Sequence, residues 1–276
     1  MVLFGGAWPV TKHALLHGGA TPLWFAVSRA GLAALVTAAA LAALGRLRLP
    51  GRADLPAVAA VGLLQLGAFF ALSHAALALT SAGRTAILSN VTVVWLVPLS
   101  ALLMAERVSP ARWAACGLGL AGALAMVGPW AVDWDDPYAL AGNALLLAAA
   151  LAWSLAILAT RALPPRRPMA ELLPWVFGLA TLVVLPVAAL REPGGGLPPA
   201  AWPHAAAVGL LAAPLGTYSV IEAGRRLPTA VTSVGFLLVP AAGVALSAAW
   251  LGEPLGWDIL VGGALVAAGV LVAVRG

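Results

Sequence analysis

Charged residues are scarce in this sequence. They make up 9% of its 276 residues, whereas 62% of the residues are hydrophobic and the mean hydropathy is +1.00. A soluble domain carries roughly 25% charged residues. The shortage of charge therefore excludes an ordinary water-exposed surface and indicates a protein whose solvent is lipid.

Cysteine and clustered acids are also nearly absent. The one cysteine, Cys116, lies inside an apolar run, which excludes a disulfide framework. The ten carboxylates are scattered, whereas metal-dependent or base–nucleophile chemistry needs a cluster. The densest acidic run, residues 133–136, is predicted to be a solvated loop. We expect no catalytic residue, no metal and no cofactor, and an intramembrane lipid-modifying enzyme is the less favoured alternative.

The apolar residues form ten runs, separated by proline, glycine and charged residues. A bilayer crossing needs about 20 apolar residues, and in lipid the backbone must be satisfied within helices. The sequence therefore predicts an all-α integral membrane protein with ten transmembrane helices. The predicted spans lie near 2–17, 22–44, 55–79, 82–105, 109–128, 139–161, 170–190, 203–224, 229–251 and 255–275.

The positive charges orient these spans. If the N-terminus is cytoplasmic, eleven of the fifteen Lys and Arg residues lie on the cytoplasmic side, and Arg84 and Arg191 lie outside. This bias predicts a multi-pass protein of the bacterial inner membrane with both termini in the cytoplasm. The net charge of +5 forms no basic stripe, so we expect no nucleic-acid partner.

The sequence contains an internal repeat. Residues 56–64 (PAVAAVGLL) return as 203–211 (PHAAAVGLL), and the same offset of 147 carries Glu106 onto Glu253. Each half, 1–134 and 135–276, has five predicted spans, an odd number, so the second half must enter the membrane from the opposite side. Inverted repeats of this kind hold a substrate in a central cavity and open it to each side in turn.

Four short segments carry a family resemblance. They are residues 78–90 (ALTSAGRTAILSN), 102–108 (LLMAERV), 228–233 (PTAVTS) and 250–255 (WLGEPL). The sequence resembles the drug/metabolite transporter superfamily, specifically its ten-helix EamA-type members, and among these it looks most like the YddG-type amino-acid exporters. The resemblance covers essentially the whole chain. It implies a basket of helices around a central cavity and export of small metabolites from the cytoplasm.

Two prolines and two glutamates are predicted to be structural or gating residues. The family often has a proline thirteen residues before the edge glutamate; this is Pro240 in the second half, but Val93 in the first. Pro98 lies five residues further on, so the bend of span 4 is expected there. Glu106 and Glu253 end spans, and each is expected to tie a loop or a neighbouring helix terminus.

Two cations lie within predicted spans at similar depth. Unpaired ionisable groups are costly in the membrane, so Lys12 and Arg29 are both site candidates that could meet a substrate carboxylate. The alternative is that these long side chains reach the outer interface. Lys12 is predicted to bind substrate, and Arg29 to have a structural or gating role.

Aromatic and polar side chains supply the other candidates. Ala7-Trp8 recurs as Ala152-Trp153, and such paired aromatic walls can hold an apolar substrate group, although ordinary packing or interfacial anchoring remains open. Asn90 and Tyr218 are predicted to line the cavity. His74 is also included as a candidate; a satisfied structural histidine is favoured over a proton carrier, because no ionisable partner lies at helical spacing.

A glycine pattern on span 5 needs separate treatment. Gly117-x-Gly119-x-x-Gly122 spells a dinucleotide-binding fingerprint, but no strand precedes it. We expect a small-residue packing face, with its counterpart at residues 262–269 of span 10.

These features and the family resemblance together predict an exporter of small metabolites, chiefly amino acids with hydrophobic and aromatic ones among them, that works by alternating access through facilitated diffusion or exchange. Its partners would be a small-molecule substrate and the bilayer, and it would act as a monomer or weak homodimer. The alternatives are a proton-coupled exporter of another amphiphilic metabolite or drug, and a channel or non-transporting scaffold.

Overall fold

The computed structural model describes residues 2–226, 235 and 238–275, without the side chains of 220–226 and 275. All regular structure in these residues is helical, which confirms the all-α class. The helices are α1 Val2–His17, α2 Pro22–Ala43, α3 Leu55–Leu79, α4 Ala82–Leu103, α5 Pro110–Val127, α6 Pro137–Ala162, α7 Met169–Arg191, α8 in the consecutive pieces Trp202–Ala206, Ala207–Ala212 and Ala213–Arg226, α9 Leu238–Leu251 and α10 Trp257–Arg275.

Seven helices in the described part of the chain are long and apolar enough to cross a membrane. They are α2 to α7 and α10, with a mean hydropathy between 1.3 and 2.2. Large apolar side chains such as Leu102 and Leu190 are exposed on the helix surfaces, Leu190 at 81%. Such side chains favour lipid over water, and the chain is a multi-pass membrane protein.

The helix starts follow local sequence signals. Pro22, Pro110 and Pro137 each occupy the first turn, where a missing N–H costs nothing. Ser81 and Asp136 cap α4 and α6 through side-chain oxygens that accept backbone N–H groups. Helix boundaries are thus set by residues that lie outside the apolar runs.

Helices α3 and α8 share a backbone irregularity. A π-helical stretch begins at Ala60 in α3 and another at Ala207 in α8, so the two starts are 147 residues apart. This is the offset of the sequence repeat. π-helical turns are rare and occur mostly at functional sites.

Contacts between the halves recur in matched pairs. A Cβ built on Gly62 would lie 3.0 Å from Cβ of Leu179, and one built on Gly209 would lie 2.8 Å from Cβ of Leu32. The offset of 147 carries Gly62 onto Gly209 and Leu32 onto Leu179. Equivalent residues of the two halves therefore make equivalent contacts here.

Helices α5 and α10 show the same pattern through glycine. A Cβ built on Gly122 would lie 2.7 Å from the carbonyl oxygen of Gly262, and one on Gly269 would lie 2.8 Å from that of Ala115. Small residues let the two backbones approach this closely. The predicted packing face is confirmed for these residues, whereas Gly117 on the same helix faces open space.

The loops divide between two ends of the bundle. The arginine-rich end comprises the connections 44–54, 104–109 and 163–168, and Asp54 ties the first of these to the third. Its carboxylate accepts the backbone N–H groups of Arg166 at 2.9 Å and Arg167 at 3.1 Å. The opposite end comprises 18–21, 80–81, 128–136, 192–201 and 252–256.

The α5–α10 contact makes a direct prediction for stability. In Gly122→Leu the new side chain meets backbone that cannot move aside, so we expect a loss of about 1–3 kcal/mol. Gly117→Leu adds the same side chain on the same helix where nothing lies within 4 Å, and its stability should match the parent protein. Thermal unfolding of both variants in detergent measures the difference; equal midpoints would contradict the packing.

Candidate functional site

Two neighbouring cavities between the helices of the described residues contain most of the predicted site residues. The first, the aromatic cavity, has a volume of about 200 Å³ and is lined by rings from α1, α3, α6 and α7. The second, the end cavity, has a volume of about 600 Å³ and reaches the arginine-rich end, where Glu106, Arg112 and Arg161 line it. Asn90 and Trp153 line both, so the two cavities meet at these side chains.

The aromatic cavity brings together the two predicted tryptophans. Phe69 on α3 contacts both of them, with its ring centroid 6.2 Å from that of Trp8 on α1 and 4.8 Å from that of Trp153 on α6. Trp8 and Trp153 come from the first helix of each half. The cavity therefore has one aromatic wall from each half, and rings in this arrangement favour an apolar or aromatic guest.

Asn90 lies at a break in α4. The α-helix stops at Leu88 and resumes at Val93, and the Asn90 amide nitrogen donates to the carbonyl of Ala86 at 2.8 Å. The carbonyl of Thr92 receives the Ser154 hydroxyl of α6 at 3.2 Å. The break thus places a polar side chain where the two cavities join. The backbone N–H of Asn90 bonds to Ile87, so the carbonyl of Ala86 is satisfied by the Asn90 side chain instead.

The bend of α4 was expected at Pro98, whereas the break lies before it, between Leu88 and Val93. Pro98 lies inside the second piece of α4, and its missing N–H frees the carbonyl of Val94, which receives the Cys116 thiol at 3.7 Å. Pro240 of α9 lines the end cavity. The gating roles of both prolines stay predictions.

Arg29 is buried and lines the aromatic cavity. Its side chain is 4% exposed, its Nη1 lies 3.3 Å from Nε2 of His74, and its guanidinium carbon lies 4.3 Å from the Phe70 ring centroid. His74 is fully buried, and its Nδ1 lies 2.8 Å from the carbonyl oxygen of Phe70. Arg29 and Phe70 line the cavity, whereas His74 is joined to both and does not line it.

Lys12 and Tyr218 line neither the aromatic cavity nor the end cavity. The Lys12 ammonium donates to the carbonyls of Leu77 at 2.7 Å and Thr80 at 2.9 Å, and so satisfies the C-terminal end of α3. Tyr218 is 48% exposed, whereas its neighbour Thr217 lines the aromatic cavity. The substrate contacts predicted for Lys12 and Tyr218 stay predictions, and this conformation supplies no cavity position for either side chain.

Contacts of Glu253 and Arg84 join the two halves at the opposite end. The Glu253 carboxylate accepts the backbone N–H groups of Ala82 at 2.7 Å and Gly83 at 2.9 Å, at the N-terminus of α4. An anion is favoured at this positive end of the helix dipole. Arg84 on the same helix pairs with Asp258 of α10, so two contacts join the halves here.

The first-half glutamate, Glu106, lies at the arginine-rich end. It pairs with Arg161 of α6 at 2.7 Å, and both side chains are partly exposed on the rim of the end cavity. The offset of 147 carries Ala82 and Gly83, which bind Glu253, onto residues 229 and 230, which lie outside the described residues.

Sequence reasoning placed Trp8, Asn90 and Trp153 at the cavity but assigned Arg29 a structural or gating role. The phenylalanines of the wall were also missed as site residues. One signal was visible, because Phe69 follows Gln65 by four residues and so shares its helix face, and both line the aromatic cavity.

Comparisons with known proteins agree with this architecture. The profile of the EamA-like transporter family matches residues 1–128 and 140–275. A protein of Streptantibioticus cattleyicolor named "Probable terminal-alkyne amino-acid exporter" is 29% identical over 278 residues, covering 100% of this chain and 91% of its own. A crystal structure with 22% identity has the same fold, with a TM-score of 0.67 over 98% of this chain and 96% of its own.

The family match covers nearly all of the sequence, and a buried cavity lies between helices of both halves. The chain belongs to the EamA-like transporter family.

Proposed function

We propose that this protein exports hydrophobic or aromatic amino acids from the bacterial cytoplasm across the inner membrane by alternating access. The observation that carries the proposal is the aromatic cavity, walled by Trp8 and Trp153 from the two halves and joined at Asn90 to the end cavity. Rings can hold an apolar side chain while a polar group holds the head of the molecule. The relative named as an amino-acid exporter supports the same substrate class.

The size of the aromatic cavity favours a small cargo. Its volume of about 200 Å³ lies below the roughly 300–1,000 Å³ of sites for drug-sized ligands. A single amino acid suits this space better than a larger drug does.

The matched contacts between the halves support two inverted five-helix repeats, 1–134 and 135–276. Gly62 meets Leu179 as Gly209 meets Leu32, and the glycines of α5 and α10 repeat the pattern. With ten crossings and five in each half, a two-fold relation makes the halves antiparallel across the membrane. Halves of this kind can exchange conformations and move the opening from one side to the other.

The two ends favour an inward-open conformation. The opposite end is held by Glu253 on α4 and by the Arg84–Asp258 pair, whereas the end cavity opens at the arginine-rich end. Positive loops lie in the cytoplasm, which assigns the opening to the cytoplasmic side. An exporter in this conformation can bind its substrate from the cytoplasm.

The polar groups at the cavity support facilitated diffusion or exchange. Among the described residues that line the aromatic cavity there is no carboxylate, the usual carrier of protons in antiporters. Both ring nitrogens of His74 are engaged, with Phe70 and with Arg29, so it is poorly placed to exchange protons with the cavity.

The first test is counterflow of labelled phenylalanine in proteoliposomes. We expect uptake that is stimulated by unlabelled amino acid inside. Trp153→Ala should reduce the rate about tenfold, as a loss of about 1.4 kcal/mol would, because one aromatic wall is gone. Trp113→Ala is the matched control, since Trp113 is 48% exposed and lines neither cavity. The absence of stimulated uptake across a broad amino-acid panel would refute amino-acid transport.

A second test concerns coupling. Phenylalanine should equilibrate at the same final level with and without an imposed pH gradient, because no carboxylate lines the described part of the aromatic cavity. Proteoliposomes with buffered interiors measure the plateau. Accumulation that follows the pH gradient would show proton coupling instead.

A third test concerns closure of the opposite end. Glu253→Gln removes the charge at the N-terminus of α4 and leaves one of two N–H groups without an acceptor, so this end should open more often. In a Cys116→Ala background, Ala7→Cys in the aromatic cavity then reports access. We expect labelling from the opposite side by a membrane-impermeant thiol reagent to rise by up to roughly tenfold.

The matched control for this test is Asp135→Asn, which removes an exposed carboxylate at the same end. Its labelling rate should equal that of the Ala7→Cys parent. Equal rates in the Glu253→Gln and Asp135→Asn variants would show that Glu253 does not hold the end closed.

A further inference from the structure

The guanidinium of Arg29 lies in the bilayer region and forms no ion pair in the described part of the chain. We infer that Arg29 binds the carboxylate of the transported molecule and that His74 holds the guanidinium in position. The inference rests on the proposed function, because it names the group that recognises the acidic end of the cargo in the aromatic cavity.

The first argument is the state of the guanidinium. Within residues 2–226, 235 and 238–275, the ion pairs formed by arginine involve Arg46, Arg84, Arg161 and Arg167, and Arg29 is absent from them. Its Nε is buried without a hydrogen-bond partner. A buried cation without a partner is costly, and a carboxylate bound in the adjoining cavity would remove that cost.

The second argument is that the other cation is already engaged. Lys12 donates to two carbonyl oxygens at the end of α3, and it lines neither cavity. Arg29 is 4% exposed and lines the aromatic cavity, so it does not reach the outer interface. Of the two cations expected at similar depth, the structure leaves Arg29 available for a substrate anion.

The third argument is the fixed orientation of the side chain. The carbonyl of Phe70 can only accept a hydrogen bond, so Nδ1 of His74 carries the proton, and its Nε2 accepts from Nη1 of Arg29. The Phe70 ring supports the guanidinium from one face. The His74 contact holds the fork at Nη1 and leaves Nε without a hydrogen-bond partner. The planar fork of an arginine suits a planar carboxylate.

The walls of the cavity complete the substrate class. Trp8, Trp153 and Phe69 present apolar surface, and Gln65 and Asn90 add neutral polar groups. The chemistry fits a monocarboxylate with an apolar or aromatic side group. An α-amino acid satisfies it, because aromatic faces and amide oxygens accommodate an ammonium group.

The experiment compares phenylalanine with phenylalaninamide, which lacks the carboxylate, by competition for labelled phenylalanine counterflow. The parent protein should prefer phenylalanine by roughly tenfold to a hundredfold, the value of one charge-assisted hydrogen bond. Arg29→Gln should bind both compounds equally and weakly, and Arg29→Lys should keep part of the preference. Lys12→Met should keep the preference, because its ammonium lies outside the cavity.

His74 is tested as a positioning residue. His74→Leu should raise KM for phenylalanine about tenfold while the maximal rate changes little, because the guanidinium loses its support but the transport cycle does not. His74→Gln offers an amide oxygen near the position of Nε2 and should restore most of the affinity. Unfolding midpoints of all variants distinguish loss of the site from loss of the fold.

The outcomes separate the two proposals. Counterflow of phenylalanine with an unchanged preference in Arg29→Gln, or in both Arg29 variants, would overturn the role of Arg29 and leave amino-acid export standing. No counterflow of any amino acid by the parent protein would refute the proposed function and the inference with it. If Arg29→Gln fails to fold, a parent protein that does not distinguish phenylalanine from its amide still overturns the inference.

Discussion

Lipid offers no hydrogen bonds, and this constraint decides where nearly every polar group of the chain lies. Lys12 satisfies the carbonyls at the end of α3, and Glu253 satisfies the N–H groups at the start of α4. Hydroxyls such as that of Thr85 bond to carbonyls of the preceding turn. Arg29 is an exception, since its Nε is buried without a hydrogen-bond partner beside the aromatic cavity. This unpaired donor is the reason for placing the substrate carboxylate at Arg29.

The two halves are matched in their packing where the structure describes both. Gly62 and Gly209 make equivalent contacts across the molecule, and the backbones of α5 and α10 meet through equivalent glycines. At the opposite end Glu253 binds the N-terminus of α4, and at the arginine-rich end Glu106 pairs with Arg161. Matched packing between the halves is what the proposed exchange of conformations requires.

Periodicity and the repeat offset predicted the helices closely, because apolar run length is set by the bilayer itself: span 55–79 corresponds to Leu55–Leu79. The site was harder to predict. Depth along a span could not tell Lys12 from Arg29, since their partners come from helices distant in sequence. Tyr218 was predicted from its depth along span 8, and depth does not determine the helix face: Tyr218 is 48% exposed, whereas Thr217 lines the aromatic cavity.

Alternating access between the halves is tested most directly by double electron–electron resonance, which measures the distance between two spin labels, applied to one labelled pair at each end of the bundle. In a Cys116→Ala background, one spin-labelled pair would replace Leu102 and Leu238, exposed side chains of α4 and α9 toward the arginine-rich end. The other would replace Trp130 and Trp257, whose ring centroids lie 6.5 Å apart at the opposite end. Phenylalanine should shorten the first distance and lengthen the second. Two distances that stay constant, or that change in the same direction, would contradict alternating access.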